Sequence, residues 1–218
     1  MAGKVIPILV IIFGVLLLIY TWKPILEWNF LIKPNLIQKQ TALLSPITDF
    51  QEDVFGKEDS NLQAKGMTSR NFGQKDEKRE FALTIEKLGI TRAKVVTGDN
   101  FKTQLAHLPG TAKPGDVGNM VISGHSTLPQ FFLSTNYLTI FSKLYLLETG
   151  DKVVLEKDWE SYTYVISDLL VVKPNDVWVL SPPEAFSSYL TLLTCGVGGF
   201  SAERIIVRAT LQDSQDLI

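Results

Sequence analysis

The chain has 218 residues, 45% of them hydrophobic and 20% charged, with a formal net charge of -2. That composition suits one ordinary domain with appendages and excludes a disordered chain, and the balanced charge gives no electrostatic reason for nucleic-acid binding. A single cysteine excludes an internal disulfide, so in an exported protein the thiol is either buried and inert or exposed and reactive.

From the N-terminus, Lys4 precedes an uncharged run, Val5 to Trp22 (VIPILVIIFGVLLLIYTW), which ends at Lys23. Crossing a bilayer takes about 17 to 20 apolar residues, so residues 1–23 are expected to form a transmembrane anchor. Tyr20 and Trp22 suit the headgroup level, and Pro7 falls near the first turn, where a missing N–H is tolerated. A cleaved leader should end in small residues resembling Ala-x-Ala; this run ends Ile19, Tyr20, Thr21, Trp22, which favours an uncleaved helix. Lysines flank the run on both sides, so positive charge alone does not orient it.

Residues 24–80 read as a juxtamembrane segment followed by a flexible linker. Trp22 to Lys39 is apolar and aromatic, suited to lying on the membrane, packing on the domain or forming a stalk. Gln51 to Glu80 is polar, with three glycines, and buries too little surface to offset its ordering entropy. A short helix around Ser45 to Val54 is the alternative.

A folded domain is expected over 81–218. Phe81, Leu83 and Ile85 alternate with Ala82, Thr84 and Glu86, as in a half-buried strand, and Leu88 to Ile90 and Ala93 to Val96 continue the pattern. Gly98, Asp99 and Asn100 mark a turn, Phe101 to Ala106 a short helix, and Pro109-Gly110 and Lys113 to Gly118 two further turns. Asn119 to His125 (NMVISGH) is an apolar strand ending on a histidine. Pro129 to Asn136 reads as a loop and Leu138 to Leu144 as a helix or 3₁₀ turn. Phe131 and Phe132 are candidates for gripping an apolar peptide residue, with core packing the simpler role for at least one. Strands follow at Lys152 to Leu155 and Ser161 to Val172, then breaks at Lys173 to Asn175 and Pro182-Pro183.

Tyr189 to Cys195 is the next strand, Val197 to Gly199 a turn-like patch, and Arg204 to Thr210 a last strand. If these two strands pair antiparallel, Cys195 and Arg204 meet at one mouth of the sheet. Alternation then points Arg204, Ile206 and Arg208 to one face and Ile205, Val207 and Ala209 to the other. Many short strands with little helix indicate an antiparallel sandwich or barrel.

TLLTC at Thr191 to Cys195, Arg204 in ERIIV and GNMVISGH ending at His125 together resemble the signature of the sortases, cysteine transpeptidases of bacterial surfaces. HLPGTAKPGDVGN, TGDKVVL and YTYVISDLLVVKPNDVWVL extend the resemblance over roughly Phe81 to the end. It implies an all-β fold, a closed eight-stranded antiparallel barrel with short helices, preceded by the transmembrane helix and held outside a single-pass anchor in the cell membrane. It implies Cys195 as nucleophile, His125 as general acid and base, Arg204 as the holder of the carbonyl or its oxyanion, and Thr194 as a residue that orients substrate or stabilises the oxyanion. Ser126 stands where many members carry arginine, which leaves the class within the family open.

The chemistry is coherent with those residue types. An isolated thiol titrates near about 8.5 and an imidazole near about 6.5, so an unassisted pair is mostly neutral; mutual proximity or a guanidinium raises the thiolate fraction. A planar, permanently charged guanidinium also suits an oxyanion. His107, before a Pro-Gly turn, reads as a satisfied structural histidine, and Arg208 and Glu203 as exposed strand charges. One cysteine and two histidines without ligand spacing make zinc improbable and suggest no cofactor; calcium on loop carboxylates, known in some sortases, is left open. The expected partners are sorting-signal peptides of secreted proteins, an amine from a cell-wall precursor or pilin, and the membrane. The rivals are a peptidase that transfers to water and a catalytically silent, tethered peptide-binding domain; an L,D-transpeptidase is weaker, because Gly196 follows the cysteine where that family tends to carry arginine.

Overall fold

A computed structural model describes residues 2–35, 80–98, 102–197 and 203–212. The linker 51–79, the alternative helix at 45–54, Asp99-Asn100 and Gly198-Gly199 lie outside these residues. A helix, α1 (Ala2–Glu27), opens the chain and widens into a π-helical turn at Trp28–Ile32. The stretch Ile8–Asn35 is long and apolar enough to cross a membrane. Its large side chains from Ile8 to Trp22 stand exposed all round the helix, the pattern of a span rather than of an amphipathic surface helix. At Trp28 the environment changes: this ring is 3% exposed, joins the main core cluster and meets Tyr145 edge to face at 5.6 Å. The juxtamembrane segment therefore packs on the domain in its first part.

Among the described residues the domain has eight strands: β1 (Glu80–Ile85), β2 (Ile90–Thr97), β3 (Leu105–His107), β4 (Gly118–Ser123), β5 (Lys152–Lys157), β6 (Glu160–Val172), β7 (Ser188–Cys195) and β8 (Arg204–Leu211). They close a barrel in the order β1-β2-β3-β4-β7-β8-β6-β5, with β5 returning to β1. The expected closed barrel is present, though β2–β3 and β4–β7 pair parallel. Period-two patterning builds it. Phe81, Leu83 and Ile85 of β1, Leu190 and Leu192 of β7, and Ile205, Val207 and Ala209 of β8 all enter one core cluster, as alternation requires. Burying such a side chain contributes roughly 1.5–3 kcal/mol, so the barrel interior supplies the main drive to fold.

Two local expectations are revised. Leu105 and Ala106, read as the end of a helix, are fully buried in β3, where parallel pairing to Val95 and Val96 overrides local preference. The segment from Leu138 is a run of turns that becomes 3₁₀ only at Leu144–Leu146. Its hydroxyls bind backbone outside the segment instead of supporting a helix: Leu133 N–H donates to Thr139 at 3.1 Å and Thr127 N–H to Ser142 at 2.8 Å. Phe131 is exposed, whereas Phe132 packs on the core under Lys143.

Gly124 sits where β4 leaves the sheet, and a Cβ there would lie 2.6 Å from Leu105 Cδ2 and 2.7 Å from Phe141 Cδ2. Both neighbours are buried. Gly124→Ala is expected to cost about 1–3 kcal/mol by overpacking, read as a lower urea midpoint at unchanged slope.

Candidate active site

Three strands converge on one end of the barrel. β4 and β7 run parallel, with Ser123 opposite Leu193 as their last registered pair. The pairing carries on past the strand: Gly124 N–H donates to the Leu193 carbonyl at 3.1 Å, and the Thr194 hydroxyl donates to the Gly124 carbonyl at 2.8 Å. His125 and Cys195 each stand two residues beyond that last pair. They leave neighbouring strand ends in step.

On the other flank β7 and β8 pair antiparallel, and Cys195 is the direct partner of Arg204. The expected mouth is thus formed, with Cys195 between His125 and Arg204. Cys195 and Arg204 are partly exposed and His125 is exposed, which leaves all three accessible.

Alternation assigns the faces. Leu190, Leu192 and Thr194 point into the barrel; Thr191, Leu193 and Cys195 point outward with their β8 partners Arg208, Ile206 and Arg204. Thr194 is 2% exposed and its hydroxyl is spent on Gly124, so it locks the two strand ends together. Ser126 adds a second tie, donating to the Cys195 carbonyl at 3.0 Å. The serine noted in sequence as a departure holds the chain after the histidine against the cysteine. Gly196 N–H donates to the Glu203 carbonyl at 2.9 Å, and Arg204 Nη1 donates to the same carbonyl at 3.0 Å. That oxygen thus fastens the start of the loop after Cys195 and orients the guanidinium.

The outward face of β6, β7 and β8 is not open to water along its whole length. The connection between β6 and β7 folds over it, and Val179 packs with Val172 and Ile206 in a second apolar cluster. Polar groups pin this cover. Asn119 donates to the carbonyls of Val179 at 3.2 Å and Leu180 at 3.0 Å, and accepts from Thr191 at 2.8 Å.

Arg208 corrects an expectation. Read as an exposed strand charge, it is 7% exposed, beneath the Trp178 ring, with Nη2 3.4 Å from the Val179 carbonyl. The covering connection excludes water from its strand face; burial lowers its pKa, and nearby Asp168 pulls it back up. Glu203 is corrected too: its carboxylate is largely buried and pairs with Lys33 of the N-terminal helix. Sequence reasoning passed over Asn119, although an amide inside an apolar strand is a signal that some buried polar partner exists.

His107 is buried, with Nδ1 3.0 Å from Thr97 Oγ1 and Nε2 2.9 Å from the Ala112 carbonyl, which takes the Nε2 proton. Both ring nitrogens are engaged, Nε2 with the turn before β4 and Nδ1 with the end of β2, so the ring is satisfied structurally, as its Pro-Gly context suggests.

The arrangement offers a nucleophile, a proton carrier and a fixed cation on adjacent strand ends, which is equipment for acyl transfer. Comparisons with known proteins identify the family. Residues 83–212 match the family model described as Sortase domain. A curated relative, Sortase A of Streptococcus agalactiae serotype III (strain NEM316), is 32% identical over 114 residues, covering 50% of this chain and 44% of that protein; the match therefore spans less than half of the relative's length. Among solved structures, a Clostridium perfringens Sortase D5 transpeptidase is 26% identical with a TM-score of 0.53, covering 62% of this chain and 79% of that one. Sortase A from Corynebacterium diphtheriae is 27% identical with a TM-score of 0.54, covering 64% of each chain. Sortase C1 from Streptococcus agalactiae is 29% identical with a TM-score of 0.53, covering 61% and 67%. The neighbours carry different class letters, so the class stays open.

Asn119→Ala should free the cover from its strand. It leaves two buried carbonyls and the Thr191 hydroxyl without that partner, an expected loss of about 1–3 kcal/mol per group left unsatisfied. Limited proteolysis should then cut first between 173 and 187.

Proposed function

This chain belongs to the sortase family, and on that premise we propose that it is a cysteine transpeptidase with Cys195 as nucleophile, His125 as proton carrier and Arg204 as oxyanion holder. The observation that carries the reading is the placement of Cys195 between its β8 partner Arg204 and the in-step end of β4 at His125.

In the first half-reaction the Cys195 sulfur attacks a peptide carbonyl, and the oxygen of the tetrahedral species gathers negative charge. Arg204, aimed by its bond to the Glu203 carbonyl, takes that charge. His125 protonates the departing amine, and a thioester remains. In the second half-reaction the neutral ring accepts a proton from an incoming amine, which attacks the thioester and restores the thiol. The donor is a sorting signal of a secreted protein, and the acceptor an amine of a cell-wall precursor or of a pilin subunit.

The organisation that goes with this reading is an anchor in 1–23, a juxtamembrane segment and linker in 24–80 and a catalytic domain in 81–218, the domain lying outside a single-pass membrane helix. Thr194 serves as a positioning residue for the two strand ends, and its main chain borders the substrate.

The experiment is incubation of the protein with a library of sorting peptides and an added amine, followed by mass spectrometry. A thioester on Cys195 and an amine-capped product are expected. A thioester that yields only hydrolysed product, whatever the amine, would reassign the enzyme as a peptidase. Cys195→Ala should form no thioester. Arg204→Ala should lower kcat/KM by about 10²–10³, the loss typical of one oxyanion donor.

A further inference from the structure

The N-terminal helix does more than end at the barrel: its last turns reach the loop that holds the catalytic mouth. Trp28 fills a core position against Tyr145, Ile32 packs on the same cluster, and Lys33 pairs with Glu203. The π-helical turn makes this possible. It is closed by Lys33 N–H donating to the Trp28 carbonyl, and at more than four residues per turn it stacks Lys33 over Trp28, so that one face delivers both the aromatic plug and the cation.

Glu203 is the residue whose carbonyl receives both Gly196 N–H and the Arg204 guanidinium. Its side chain and its main chain therefore link two things, the end of the anchor helix and the geometry around Cys195. Both partners of the ion pair are about three-quarters buried, with side-chain exposures of 28% and 25%, so water screens the pair less than it would at an open surface.

We infer that Lys33 is a positioning residue for catalysis: by holding Glu203 it fixes the Arg204–Cys195 mouth, which makes the anchor helix part of the catalytic unit. The activity arm of the test rests on the transpeptidase reading; the thiol arm does not. Among the described residues, the titratable and charged groups around the cysteine are His125 on the β4 side, Arg204 and Glu203 on the β8 side, and Lys33 from the helix, through Glu203.

The test uses the full chain in detergent or lipid vesicles, as wild type, Lys33→Gln, Lys33→Arg and the exchange Lys33→Glu with Glu203→Lys. Two quantities are read: the rate of Cys195 alkylation by iodoacetamide across pH, and kcat and KM for acyl transfer. Lys33→Gln is expected to change the alkylation rate, because Arg204 is no longer held in place beside the sulfur, and to lower kcat about threefold to fivefold with KM little changed. Lys33→Arg and the exchange should both fall within about twofold of wild type. If Lys33→Gln matches wild type in alkylation, or if the exchange fails to restore it, the inference is overturned. Should no chain form a thioester with any peptide, the transpeptidase reading fails on its own, and the alkylation curves still decide the role of Lys33.

Discussion

The parallel pairing of β4 with β7 is the constraint on which the site depends. Cys195 and Arg204 belong to consecutive strands and would meet in almost any antiparallel arrangement of that hairpin. His125 comes from a strand that ends 64 residues before β7 begins, and only the register Ser123 to Leu193 brings it into step with the cysteine. A slip of one residue would turn every side chain of β4 to the opposite face and move Met120 and Ile122 out of the core. The barrel core and the catalytic register are therefore one constraint: the burial that stabilises β4 also sets the histidine.

A second layer of organisation lies outside the barrel. Antiparallel sheets commonly leave one face to water, and β7 and β8 alternate as though they did. The β6–β7 connection covers that face instead, through Val179 and through bonds from Asn119 and Arg208 to its carbonyls. Unmade, each such bond would leave a buried polar group at a cost of about 1–3 kcal/mol, so the cover is held by the cost of opening as much as by its contacts. The uncovered end of the same face carries Cys195 and Arg204. Coverage along one part of these strands and access at their tips together leave Cys195 and Arg204 at the open end.

Much of this was legible in the residues, and what was not has physical reasons. Alternation in Phe81 to Ile85 and Arg204 to Thr210 reports inward and outward faces directly, because a half-buried strand has a two-residue period. The Cys195–Arg204 pairing follows from a hairpin reading of local text. The place of His125 does not, because parallel pairing is set by closure of the whole sheet; family resemblance supplied it. Arg208 was misread since its face is outward by alternation and nothing local announces a cover from residues 173–187. The helical reading of Phe101 to Ala106 failed at Leu105 because long-range pairing outweighs short-range preference in three residues. Lys33 and Glu203 stand 170 positions apart, beyond the reach of any periodicity.

The tie between Thr194 and Gly124 joins residues 70 positions apart, and it is made only when a long crossover has closed. Contacts so distant in sequence cost loop-closure entropy before they return any stabilisation, and they form late in folding. Cys195 and His125 therefore come together only as the barrel closes. A chain still folding carries its thiol without its imidazole, so on the proposed transpeptidase reading reactivity arrives only with the finished sheet.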